Sequence, residues 1–193
     1  MPAFVPMRIL AVLLLLSLPG VARADDARLR ELARQDQAVR AGQEDTSSDD
    51  ARRAEVLRLL AQAERLTPRD KFHAALVLQH TGLTVCDGRL VSTNPENYLF
   101  AHHLFRAAMD AGVAGAAYLT AAAIDRYLTF TSGTQRYGTN RLINQETGRE
   151  ELVPVDRTVT DEERRRFGVP PLEELLRRFP EQARPAPGPA GKS

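Results

Sequence analysis

The passage from Asn94 to Phe130, "NPENYLFAHHLFRAAMDAGVAGAAYLTAAAIDRYLTF", limits the fold of this chain more than any other. Two segments with helical apolar spacing are parted by a very short connection. A link of that length turns the second helix back antiparallel to the first. From Asn97 to Phe130 the pair spans about 34 residues, with small side chains where the helices cross, and so has the look of one tetratricopeptide-like unit. Only one such unit is apparent, and a repeat array is not expected.

The residues before it read as three further helices. "DDARLRELARQDQAVRAG" carries Leu29, Leu32, Ala33 and Val39 at near-helical spacing, with Asp25 and Asp26 suited to the start and Gly42 to the stop. "SSDDARRAEVLRLLAQAERL" repeats the scheme, with Ser47 or Ser48 as cap and Val56, Leu59, Leu60 and Ala63 as the inner stripe. In "TPRDKFHAALVLQH", Thr67 caps, Pro68 takes the first helical position and Asp70 closes a capping box. Its "AALVL" middle is apolar on every side, which makes this helix central. "CDGR" reads as a turn, and Asn94 followed by Pro95 opens the next helix.

Beyond Gly133 the pattern changes. "YGTNRLIN" and "EELVPV", separated by "QETGR", predict a small β-hairpin near the C-terminus, with Pro154 marking the second strand as an edge. "TDEERRRFG" and "PPLEELLRRF" predict two short helices. The expected class is mainly α: one compact helical domain over residues 25–180, with a disordered tail at 181–193 that has too little apolar content to fold.

The N-terminus has the parts of a secretory signal: Arg8, an apolar run from Ile9 to Leu18, Pro19-Gly20, and small residues at Ala22 and Ala24. The run is well short of the roughly 20 residues that span a bilayer. Residues 1–24 are expected to be cleaved near Ala24, leaving an exported, soluble protein, periplasmic or secreted, with no membrane span. Of 26 basic and 25 acidic residues, loss of Arg8 and Arg23 leaves 24 against 25, a net charge of about −1. That balance gives nucleic acid no electrostatic hold. Cys86 is the single cysteine, so internal disulfides and CxxC metal sites are excluded, and a lone thiol is expected to be buried and inert.

No GxSxG, HExxH, phosphate loop or Rossmann glycine pattern is present, and no cofactor or metal is implied. Candidate chemistry rests on scattered residues. His73 and His80, seven apart, fall within about 20 degrees on one helical stripe with Val77, where His80 reads as a core histidine tied to a carboxylate or backbone, or as a cleft-lining acid/base. His102 and His103 point to different sides. Asp125, Arg126 and Thr129 share one arc, which fits a solvated face or a packed one in which Arg126 pairs with an acid such as Asp36. In an extended "TQRYGT", Gln135, Tyr137 and Thr139 share a side opposite Arg136, and Gly138 lets a backbone or ligand approach closely.

Taken in order, Asp36, Gln37 and Arg40; Gln79 and His80; Asp125 and Arg126; Gly133, Gln135, Tyr137, Gly138 and Thr139; and Asp161, Arg164 and Gly168 form a recurring signature. On it the chain resembles an uncharacterised bacterial domain family with the pattern D-Q-x-x-R, Q-H, D-R, G-x-x-Q-x-[YF]-G-T and D-x-x-R-x-x-x-G, a family without an assigned activity. Asn140 stands where that family usually has glutamine, and Thr134 where it has proline.

Three roles are compatible with these residues. A binding module would take an unidentified protein, peptide or small molecule in the groove beside "QRYGT", through Gln79, His80, Arg126, Gln135, Tyr137 and Thr139. A hydrolase or transferase would use His80 as general acid/base, oriented by Asp125, with Gln135 and Tyr137 stabilising charge. A purely structural network would join Asp36, Gln37, Arg40, Asp125 and Arg126 to fix the fold.

Overall fold

Capping chemistry sets most of the helix boundaries in the structure, a computed structural model that describes residues 24–43, 47–86, 89–144 and 148–180. Asp26 caps α1 (Ala27–Arg40) by accepting from the Arg28 and Leu29 N–H groups. Ser48 caps α2 (Asp49–Gln62). Thr67 and Asp70 close a reciprocal capping box on α3 (Pro68–Leu78), and Asp70 also accepts from the Asp26 N–H at 2.6 Å, tying the starts of α1 and α3 together. Helix α4 (Glu96–Asp110) departs from the expected pattern: Pro95 is its cap residue and no side chain caps it. The Asn94 amide instead donates to Thr93 Oγ1.

Helix α5 (Ala116–Ser132) follows after five residues and packs along α4. It ends at Gly133, whose φ of 71° is the left-handed conformation that glycine adopts without a Cβ penalty. Helix α3 is central, in contact with α1, α2 and α4. Leu29, Leu32, Val56, Val77, Leu78, Leu104, Phe105 and Ala123 form the main core, with Phe72 set edge-on to Phe105 at 5.6 Å. A second, smaller core of Ala121, Tyr137, Val159, Phe167 and Val169 lies between α5 and the C-terminal segments. These are α6 (Asp161–Arg166) and α7 (Leu172–Arg178).

The described residues hold two small antiparallel hairpins, not the one expected. Strands β1 (Leu83–Cys86) and β2 (Arg89–Ser92) pair with Leu83 opposite Ser92, and β3 (Arg141–Ile143) and β4 (Glu150–Leu152) with Arg141 opposite Leu152. The first was hidden because its strands are four residues long and bury little: Leu83, Val85 and Leu90 are all exposed. Cys86 sits on this strand and is exposed, contrary to the buried thiol expected, because β1 packs on no core. The second hairpin is shorter than "YGTNRLIN" and "EELVPV" suggested, since the chain bends before it.

No helix among the described residues is long and apolar enough to cross a membrane. The expected leader, apart from Ala24, and the expected tail lie outside the described residues.

Candidate functional site

Helix α5 carries Asp125 and Arg126 side by side, and they serve separate polar networks. Asp125 is fully buried. One carboxylate oxygen accepts from the N–H groups of Arg136 at 2.8 Å and Tyr137 at 3.0 Å; the other accepts from the Thr139 N–H at 2.9 Å and its hydroxyl at 2.7 Å. Burial raises the pKa of this carboxyl, against donors from Thr139, Tyr137 and Arg136 that pull it down. Thr129, one turn on, is also buried and accepts from Asn140 Nδ2 at 2.9 Å. The arc holding Asp125 and Thr129 is thus packed against the loop and is not a solvated face.

That packing requires "TQRYGT" to bend. Gln135 forms an isolated bridge with Val155, and the chain then turns through Arg136 to Gly138, whose φ is 76°. The alternation expected of an extended strand is lost. Gln135 is fully buried; its amide donates to the Asn140 and Val153 carbonyls at 2.8 Å each and accepts from the Asn140 N–H at 2.8 Å. Its amide is spent inside the protein, which removes it from the surface on which ligand contact was expected. Tyr137 is buried, tilted against Phe167, with its hydroxyl donating to Glu163 at 2.7 Å. Burial, then the Glu163 carboxylate, push this phenol up to about 12. What approaches Gly138 is Leu175: an added Cβ would lie 2.1 Å from its Cδ2.

The last motif locks the same loop. Arg164, fully buried on α6, donates to the Pro170 and Tyr137 carbonyls at 2.7 Å each. Asp161 accepts from the Leu172 N–H at 3.0 Å and so joins α6 to α7.

The second network gathers at the end of α3. That helix stops at Leu78 with Gln79 as its cap, so His80 lies beyond it and the stripe expected for His73, Val77 and His80 does not exist. His80 Nδ1 lies 2.7 Å from buried Asp36. Asp36 also accepts from Gln37 Nε2 at 2.9 Å and sits 3.5 Å from the Arg40 guanidinium. Arg126 reaches Gln79 Oε1 at 2.7 Å and makes no ion pair with Asp36. Arg53, on the inner side of α2, donates to the His80 carbonyl.

The structure therefore brings Asp36, Gln37, Arg40, Gln79, His80 and Arg126 to one place, and Asp125, Gln135, Tyr137 and Thr139 to another. His80 is oriented by Asp36, because every acceptor position of Asp125 is directed at the loop. Arg53 and Glu163 were not singled out in the sequence. Arg53 carried a signal, standing three residues before Val56 on the buried face of a helix. Glu163 carried none, since its role depends on the approach of Tyr137 across 26 residues.

Beside the loop runs a groove of about 250 Å³ lined by Tyr118, Tyr137, Gly138, Thr139, Arg141 and Phe179, among others. The Arg141 guanidinium lies 5.7 Å from the Phe179 ring centre. A wider depression of about 760 Å³ lies at the opposite end of α3, around Arg69, His73 and Val113, away from the motif residues. Among the described residues no three His, Cys, Asp or Glu side chains cluster as a metal site would need. No family model, curated protein or solved structure matches the chain.

Proposed function

We propose that this chain is an exported helical binding module that takes a protein, peptide or small-molecule partner in the groove beside the "QRYGT" loop. One observation carries this reading. The loop's reactive-looking groups are consumed internally by Asp125, Gln135, Glu163 and Arg164, so the loop serves as a stiff wall, and the groove it bounds presents aromatic rings and guanidinium groups. Such a lining suits recognition by stacking and charge. On the same reading the α4–α5 pair acts as a single tetratricopeptide-like unit that supports one side of the groove. Export follows from the leader read in residues 1–24, and N-terminal sequencing of the mature protein should begin at Asp25.

The test is ligand screening by thermal shift on the full mature chain, repeated with Phe179→Ala and Arg141→Glu. A ligand that raises the melting temperature of the native protein but not of these variants supports the groove. A ligand set that acts equally on all three overturns it.

A second reading, catalysis by His80, retains one supporting observation: Asp36 holds Nδ1, which leaves Nε2 as the working nitrogen of a general acid/base. Asp36 replaces Asp125 as the orienting acid. Loss of a hydrolytic activity in His80→Gln, with the fold intact, is the outcome that favours it.

A further inference from the structure

We infer that the Arg126 guanidinium and the Gln79 amide, beside the end of α3, form an oxyanion site that holds one carboxylate or phosphate group. It lies on the other network of α5 from the groove and does not depend on the groove's function. Arg126 is half-buried, and its single hydrogen bond among the described residues goes to a neutral acceptor, Gln79 Oε1. No carboxylate among the described residues comes within ion-pair distance of it.

Each of the other recessed arginines has at least two partners. Arg52 pairs with Asp49, Arg53 with Asp50, Arg40 with Asp49 and Asp36, and Arg164 fills two carbonyls. Arg126 has no comparable set. Burial lowers its pKa, and the positive charge of Arg40 acts in the same direction, while Tyr98 and Tyr118 oppose. A guanidinium does not lose its proton under such pressure; a desolvated cation of this kind is relieved by an anion.

The neighbouring groups are donors too. Gln79 gives Oε1 to Arg126, which leaves its Nε2 hydrogens without a partner among the described residues. Tyr98, stacked on Phe130 at 5.8 Å, lies within electrostatic range of both Arg126 and Arg53. Asp36, the acid of the neighbouring cluster, serves His80, Gln37 and Arg40. Arg126 itself meets no charged acceptor among the described residues, and a planar guanidinium beside an amide suits a carboxylate or a phosphate oxygen pair.

The test uses the full mature chain, melted at constant ionic strength with inorganic phosphate or with acetate replacing chloride. A saturable rise in melting temperature is expected with at least one of them, and which one responds identifies the anion's chemistry. Arg126→Met is expected to fold with an unchanged or higher melting temperature in chloride, and to lose the anion-dependent rise. Arg126→Lys should bind about tenfold more weakly, having lost the planar fork. The groove variant Phe179→Ala should keep the full response, which separates this site from the groove. Absence of a saturable rise with both anions, or the same rise in Arg126→Met, overturns the assignment. So does an Arg126→Met chain that fails to fold together with an undiminished response in Arg126→Lys.

Discussion

Asp125 and Arg126 are adjacent in sequence and opposite in service: the Asp125 carboxylate receives the Arg136, Tyr137 and Thr139 N–H groups, while the Arg126 guanidinium reaches Gln79 at the end of α3. Successive residues on a helix point about 100 degrees apart. One dipeptide can therefore join α5 to the C-terminal loop on one side and to the N-terminal helices on the other. Both junctions are polar because each must hold backbone or amide groups that no strand or helix satisfies.

Asp125→Ala should lower unfolding free energy by about 3 kcal/mol or more, since several loop N–H groups lose their only acceptor in a buried place. Asp125→Asn should cost less, as its remaining carbonyl still accepts. Urea denaturation measures the loss, and amide exchange at residues 136–139 should quicken in both variants.

Gly138→Ala should destabilise by about 1 to 3 kcal/mol, because φ is 76° and the new methyl would meet Leu175 Cδ2. In a Leu175→Ala background the same substitution should cost less. A double-mutant cycle separates the two causes: the steric part disappears and the backbone part remains.

Tyr137 donates to Glu163 and has its pKa pushed up to about 12. A raised folded value means that the neutral phenol is preferred in the native state. Its contribution to stability is whole below the ordinary value of 10 and is lost as pH rises toward 12. Alkaline titration of tyrosinate absorbance should show this late step, and Tyr137→Phe should remove it and flatten the loss of stability.

His102 donates from Nδ1 to the Thr120 carbonyl, and burial lowers its pKa from 6.5. The native state prefers the neutral ring, so its contribution is present above about 6.5 and lost as pH falls through the folded value. His73, lowered by burial as well, adds in the same direction. Melting temperature should fall from about pH 7 to about pH 5, with a smaller slope in His102→Gln.

Arg164→Lys should cost about 2 to 4 kcal/mol, because one ammonium cannot reach both the Pro170 and Tyr137 carbonyls that the guanidinium spans. Calorimetric melting measures it.

The helices were readable from local signals. Thr67, Pro68 and Asp70 mark the start of α3, and Gly133 marks the end of α5, because a cap or a left-handed residue acts within a few positions along the chain. The β1–β2 hairpin was partly readable: Asp87-Gly88 is a turn signal, but strands with so little burial leave no alternating pattern. Asn94 carries a cap signal that α4 does not use, since Pro95 opens the helix without a side-chain bond.

The candidate residues divide along the same line. Their chemical types, and the absence of any established catalytic motif, belong to the chain as written. Their partners do not: Asp36 with His80, Asp125 with Thr139 and Arg164 with Tyr137 meet across 44, 14 and 27 positions. A hydrogen bond at that separation is set by which helix faces pack together, and no local rule encodes it. Capping and spacing along the chain thus decided where helices begin and end, while only the packing of α3, α5 and α6 decided that a carboxylate would hold a loop and that Arg126 would meet an amide in place of a carboxylate.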